Sequence, residues 1–197
     1  MIYETLQIIK EQLDKYLEEE NFGKIVVLDN IALWESNSED ASRISGKVVL
    51  SLLKLEEEST LKNSPGVRVV DGKTEYENPP VNLNLYLLIS ANCDTYDKSL
   101  SSISKTIQFF QGKKTFTYAN TVYKRDNATF ENLDDFKFTL SLYTPSFDEL
   151  NNIWGTLGGR QLPSVIYRIQ LIHISSDRKT GSASVITHVK GNLNDIS

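Results

Sequence analysis

Cysteine is almost absent: Cys93 stands alone among 197 residues. A disulfide framework within the chain is impossible, and a reducing compartment is expected. Histidine is nearly as scarce, with only His173 and His188. One thiol and two imidazoles cannot complete a four-ligand zinc site of sulfur and nitrogen. Basic residues are the minority, 21 Lys and Arg against 26 Asp and Glu, for a net charge of −5. That balance argues against a nucleic-acid partner, which requires a basic face to neutralise phosphates. No apolar run approaches the roughly 20 residues that span a bilayer, so no membrane partner is expected. The N-terminal MIYETLQIIK lacks a basic start followed by an apolar core, so no signal peptide is expected and the expectation is a cytoplasmic protein.

What remains is a composition for a packed core, 40% hydrophobic and 24% charged. Residues 2–19 carry Ile2, Leu6, Ile9, Leu13 and Tyr16 on one helical face. Residues 24–34 read as a strand and 36–46 as a polar loop. Residues 47–59 begin apolar on both faces, as in a central strand, and end in three glutamates. Asp71-Gly72 between extended segments predicts a hairpin within an insertion at 60–80, closed by Pro79-Pro80. Residues 81–90 alternate as a strand. Residues 95–111 predict a helix through Tyr96, Leu100, Ile103, Ile107 and Phe110, with Asp94 as its cap. A strand over 135–143 precedes a helix opened by the Ser146–Glu149 capping box, apolar through Phe147, Leu150, Trp154 and Leu157, and stopped by Gly158-Gly159. Strands at 163–174 and 182–189 close the chain. The fold class is α/β or α+β: a single layered domain, a mixed sheet of about five or six strands flanked by helices, with a polar C-terminal extension over 175–197.

Candidate chemistry is thin. Glu56 and Glu58 share a strand face about 7 Å apart, a spacing that suits acid–base work or a divalent cation, but also an ordinary charged strand end. His173 and His188 have no serine or cysteine nucleophile in a recognisable elbow. Cys93 sits where a strand meets a helix, opposed by Asp94 and Asp97. Gly155, Gly158 and Gly159 resemble a phosphate loop, yet they fall at a helix end, where the dipole is negative. No catalytic constellation, metal site or cofactor site emerges, which favours a binding or structural role.

Three segments together resemble one family: KVVLSLLKLEEESTLKN (47–63), NPPVNLNLYLLISANCDTYDKSLSSISKTIQFFQ (78–111) and SFDELNNIWGTLGGRQLPSVIYRIQLI (146–172). They are similar to the sheath-cap, or tail-terminator, family of contractile injection systems, the phage-tail-like particles of the antifeeding-prophage and Photorhabdus-virulence-cassette type. The residues that carry the resemblance are Glu56, Glu57, Asn78, Pro79, Pro80, Asn82, Tyr86, Ser146, Glu149, Trp154, Gly155, Gly158 and Pro163. The resemblance implies a non-enzymatic structural cap: a hexameric ring of self copies on the terminal inner-tube ring and terminal sheath ring, ending polymerisation at the baseplate-distal end. It implies a tail-terminator-like fold, assembly in a bacterial cytoplasm and no cofactor. Segments 65–77 and 113–133 fall outside the family pattern. Some members carry further C-terminal domains, and this chain reads as the cap domain alone. Ser182, Val185, Thr187 and Val189 form a candidate interface for strand exchange with the sheath, whose subunits the resemblance implies are linked by donated strands; the local alternative is a hairpin with 164–174. The rival functions are an adaptor or baseplate component of the same particle, and a carboxylate-dependent enzyme.

Overall fold

The computed structural model describes residues 1–34, 39–58, 67–70, 73–77, 81–121, 136–174 and 179–184. They form two compact units, one of residues 1–57 and 83–172, the other of 58–82 and 173–197.

The larger unit is built on a six-stranded mixed sheet in the order β1-β2-β5-β8-β7-β6. Its strands are β1 (Val26–Leu28), β2 (Lys47–Glu57), β5 (Val81–Asn92), β6 (Thr115–Thr117), β7 (Lys137–Tyr143) and β8 (Ser164–Ile174). The helices are α1 (Ile2–Glu19), α2 (Glu39–Ile44), α3 (Tyr96–Gly112) and α4 (Phe147–Thr156). This matches the expected sheet of five or six strands flanked by helices. Successive strand residues point to opposite faces, so Ile166 and Tyr167 divide the molecule. Ile166 joins a buried cluster with Ile31, Ile44, Val49, Leu88 and Trp154 beneath α2 and α4. Tyr167 meets Phe110 of α3 at 4.7 Å on the other face. There α3 packs beside α1 through Tyr16 and Phe109, 5.2 Å apart. The centre is therefore covered on both sides, and Val48, Val49, Leu50, Leu87, Leu88 and Ile89 are all fully buried.

Several local expectations give way. The strand expected over 24–34 ends at Leu28 and becomes a 3₁₀ turn at Ile31–Leu33, because the Asn30 side chain caps it by accepting from Ala32 N at 3.1 Å. The expected loop at 36–46 contains the short helix α2. Thr95, not Asp94, caps α3 by accepting from Lys98 N at 3.3 Å. The apolar stripe of α3 does not all face the sheet: Tyr96, Leu100 and Ile107 are 68%, 44% and 39% exposed, while Ser99, Ser102 and Thr106 are buried. Two of these hydroxyls donate to the helix's own carbonyls, Ser102 to Lys98 O and Thr106 to Ser102 O, both at 2.8 Å. That pairing removes the desolvation cost of a small polar face against the sheet. Phe147 also departs from its expected stripe and is 91% exposed.

In the second unit, β3 (Val67–Val70), β4 (Lys73–Glu77) and β9 (Lys179–Ser184) form an antiparallel sheet in the order β3-β4-β9. Val70 pairs with Lys73, leaving two residues between the strands, as the Asp71-Gly72 signal requires. β9 begins at Lys179, three residues before the strand expected over 182–189. It pairs with β4, Ser182 opposite Glu75, rather than with the 164–174 strand of the local alternative. The main-chain groups of this polar segment find their ladder on the insertion hairpin instead.

Candidate functional site

Of the family-motif residues of the larger unit, Glu56, Tyr86, Ser146, Glu149 and Trp154 gather on the α4 face of the sheet. β2 and β5 pair antiparallel, with Lys54 opposite Tyr86 and Glu56 opposite Asn84. Paired residues share a face, so Lys54, Glu56 and Tyr86 lie together. The Tyr86 hydroxyl donates to Glu56 Oε2 at 2.9 Å, and Lys54 Nζ lies 3.1 Å from Glu56 Oε1. Lys54 Nζ also stands 5.4 Å from the Tyr86 ring centroid. Tyr86 holds the Glu56 carboxyl below its ordinary value, with Lys54 assisting, while burial pushes the Tyr86 phenol up. A carboxylate committed to a phenol and an ammonium has little capacity left as an acid–base group. Among the described residues, no group of three or more His, Cys, Asp or Glu side chains could hold a metal ion.

Tyr143 on β7 meets Tyr86 edge to face, 5.2 Å between centroids, and its hydroxyl donates to Glu149 Oε1 at 3.2 Å. Glu149 completes the capping box that the sequence predicts: its Oε2 accepts from Ser146 N at 2.8 Å, and Ser146 Oγ accepts from Glu149 N at 3.3 Å. Between α4 and the sheet lies a groove of about 500 Å³, walled by Leu52, Leu53, Tyr86, Tyr143, Ile153 and Leu157. Trp154 is 3% exposed and sits in the apolar cluster, and its indole nitrogen has no hydrogen-bond partner among the described residues. Gly158 and Gly159 take positive φ of 116° and 90°, and Gly159 N donates to Trp154 O at 2.7 Å. The helix ends in this cap, as the sequence predicts for Gly158-Gly159. Gly155 is an exposed residue of α4. Pro163 O accepts from Ala91 N at 2.9 Å and so ties β8 to β5.

Glu57 is exposed on β2. Asn82 O accepts from Glu58 N at 2.8 Å. Asn78, Pro79, Pro80, Val185, Thr187 and Val189 lie outside the described residues. Cys93 is half-buried with Sγ 3.7 Å from Ser102 Oγ. Sequence reasoning missed Lys54, Tyr143 and Arg168 as neighbours of Glu56. The strand register that assembles them depends on a shift between Leu52 and Lys54 that no motif announces.

Taken together, the six-stranded sheet with helices on both faces and an apolar groove define a mixed α/β protein whose exposed features suit packing against other proteins. Residues 4–188 match the model of the Pvc16 N-terminal domain, and the chain belongs to that family. Its fold is similar to the sheath/tube terminator of PVC, an extracellular contractile injection system, in the extended state. The TM-score is 0.65 at 18% identity, covering 100% of this chain and 64% of that one. It is also similar to the tube terminating cap of the anti-feeding prophage, with a TM-score of 0.62 at 15% identity, covering 96% of this chain and 60% of that one. The chain thus spans less than two thirds of the length of either structure. No curated protein matches it.

Proposed function

We propose that this chain is a structural cap of a contractile injection system, seated on the last inner-tube ring and the last sheath ring, where it ends their polymerisation. The observation that carries the reading is that the fold of a sheath/tube terminator covers the whole chain, in keeping with its family. A growing tube end offers unsatisfied edges and apolar patches, and its terminator must match that end while presenting no matching face beyond it. The outward stripe of Tyr96, Leu100 and Ile107 on α3 and the exposed Leu142 supply apolar surface for protein partners. The reading includes a hexameric ring of copies, a non-enzymatic role, no cofactor, and assembly in the bacterial cytoplasm into a particle that is released. The motif residues serve the fold of the cap.

Negative-stain electron microscopy of the purified full chain, with and without the cognate tube protein, tests it. Six-fold rings, or density capping tube ends with shorter tubes, are expected. Tubes that grow to unchanged length with bare ends in excess protein would overturn the reading. Density found only at the baseplate end of intact particles would favour the adaptor role.

A further inference from the structure

Among the described residues the outer edge of β2 is only half used. β1 pairs with it in parallel from Val26 to Leu28, opposite Val48 to Leu50. The ladder then stops, because the Ser51 hydroxyl donates to Asp29 O at 2.6 Å and accepts from Ile31 N at 3.0 Å, turning the chain away. β2 nevertheless continues for seven residues past Leu50. Leu50 O accepts from Asp29 N on the outer side. Alternation puts the Leu52 main chain on that same side, and the register shift at Leu53 carries the outward position to Leu55. Among the described residues no strand lies beside Leu52–Leu55. Leu52 and Leu55 are 38% and 48% exposed, although nature blunts free edges with charge or proline.

Both sides of this edge carry a groove. Leu52 and Leu53 wall the groove of about 500 Å³ under α4. A second groove, of about 410 Å³, opens where β1 departs, walled by Leu6, Leu28, Leu50 and Leu52. A strand added at the edge sends alternate side chains to the two faces, so both grooves would be filled by one extended segment. The charged residues that line the first groove, Lys54 and Glu149, are of opposite sign, so an uncharged segment suits it. The chain itself carries such a run. Residues 182–189, SASVITHV, hold no Lys, Arg, Asp or Glu, and Val185, Thr187 and Val189 alternate with Ile186. Ser182 is already paired with Glu75, which leaves 185–189 as a strand-length segment directly after β9.

From this juxtaposition we infer that the outer edge at Leu52–Leu55, with its two flanking grooves, accepts residues 185–189 of a second copy of this chain as an added strand. The inference rests on the ring reading for the presence of that neighbouring copy.

The test is disulfide trapping between full-length chains carrying Cys93→Ser. One chain adds Leu55→Cys and the other Thr187→Cys, and the two are mixed under mild oxidation. A covalent heterodimer is expected, in excess over a control in which Leu100→Cys on α3 replaces Leu55→Cys. Adding Leu52→Lys to the acceptor chain should cut the yield about tenfold or more, since a lysine on an edge opposes strand addition. Circular dichroism melting of each variant establishes that it is folded. No heterodimer, or a yield equal to the Leu100→Cys control, overturns the inference. A chain bearing both cysteines that cross-links only within itself at high dilution overturns the second-copy assignment. Capped tube ends without trapping would sink this inference alone, and trapping without rings or capped ends would sink the cap reading alone.

Discussion

The Tyr86 hydroxyl donates to Glu56 Oε2 at 2.9 Å, joining two strands across a pairing register that places Glu56 beside Lys54 and opposite Asn84. The bond uses the carboxylate that sequence pattern alone offers for catalysis. Replacing Tyr86 with Phe removes the first cause of the depressed Glu56 value and leaves Lys54. The Glu56 carboxyl should then titrate closer to the ordinary range in a carbon-detected NMR titration. The sign follows from the depressed value. The native state gains from this interaction above the ordinary carboxylate range and loses it as pH falls through the folded value. Tyr86→Phe should therefore flatten the acid limb of the stability curve.

The capping box makes a second prediction. Ser146 Oγ holds Glu149 N, and the Ser146 backbone and side chain together lower the Glu149 carboxyl, with Tyr143 adding to the effect. Ser146→Ala should cost about 1 kcal/mol in urea unfolding near neutral pH, within the usual range for a lost cap. The difference from wild type should shrink in acid, because a carboxyl with a depressed value loses its contribution as pH falls through that value.

The glycine inside α4 behaves differently from the two that end it. A Cβ at Gly155 would meet nothing within 4 Å, and its φ is not positive. Gly155→Ala should therefore stabilise the protein by about 0.5–1 kcal/mol through helix propensity and unfolded-state entropy. Gly158→Ala must enter the left-handed region at φ 116° and should destabilise. Paired thermal melts separate the two. A destabilised Gly155→Ala would mean that this motif position carries a demand beyond the helix.

These positions show what is legible in a single sequence. The capping box of α4, the alternation of β5 and the Asp71-Gly72 turn are local signals, and each is read from a few adjacent residues. α3 misleads because its side chains follow two competing faces. The larger apolar residues form the regular stripe, but the sheet takes Ser99, Ser102 and Thr106 along with Ile103 and Phe110. Hydroxyls that bond their own helix are as good as small apolar groups at a close contact, and periodicity does not distinguish them. The partner of β9 is illegible for another reason: β4 lies about a hundred residues earlier, and two polar strands carry no pattern that selects each other. The groove under α4 is illegible in the same way, since it depends on the long-range pairings of β2 with β5 and of β7 with β8.

Trp154 sits at the centre of the α4 face, 3% exposed, with Ile44, Val49 and Leu88 in its cluster. Trp154→Ala should cost about 3–5 kcal/mol, combining lost burial with the cavity left behind. Trp154→Phe keeps most of the ring volume and removes an indole nitrogen that has no partner among the described residues, so its cost should stay under about 1.5 kcal/mol. Chemical denaturation of both variants measures the contrast. Equal losses would show that a phenyl ring cannot fill the space the indole occupies.

On the opposite face, Tyr167 is 4% exposed and packs against Phe110 at 4.7 Å. Burial pushes its phenol up to about 12 from an ordinary value of 10.0. A buried phenolate loses its hydration and gains nothing in return, so the native state holds the proton that the unfolded chain releases. The window is alkaline. Stability is unaffected by this group below about 10 and falls as pH rises from there toward about 12, because only the unfolded state ionises in that range. Tyrosinate absorbance should show a late-titrating phenol that is missing in Tyr167→Phe. The same variant should hold its melting temperature further into alkali than the wild type. A Tyr167 that ionises with the exposed tyrosines would mean that the contact between α3 and β8 opens to water, and Phe110→Ala, which empties that contact of its ring, should move the titration the same way.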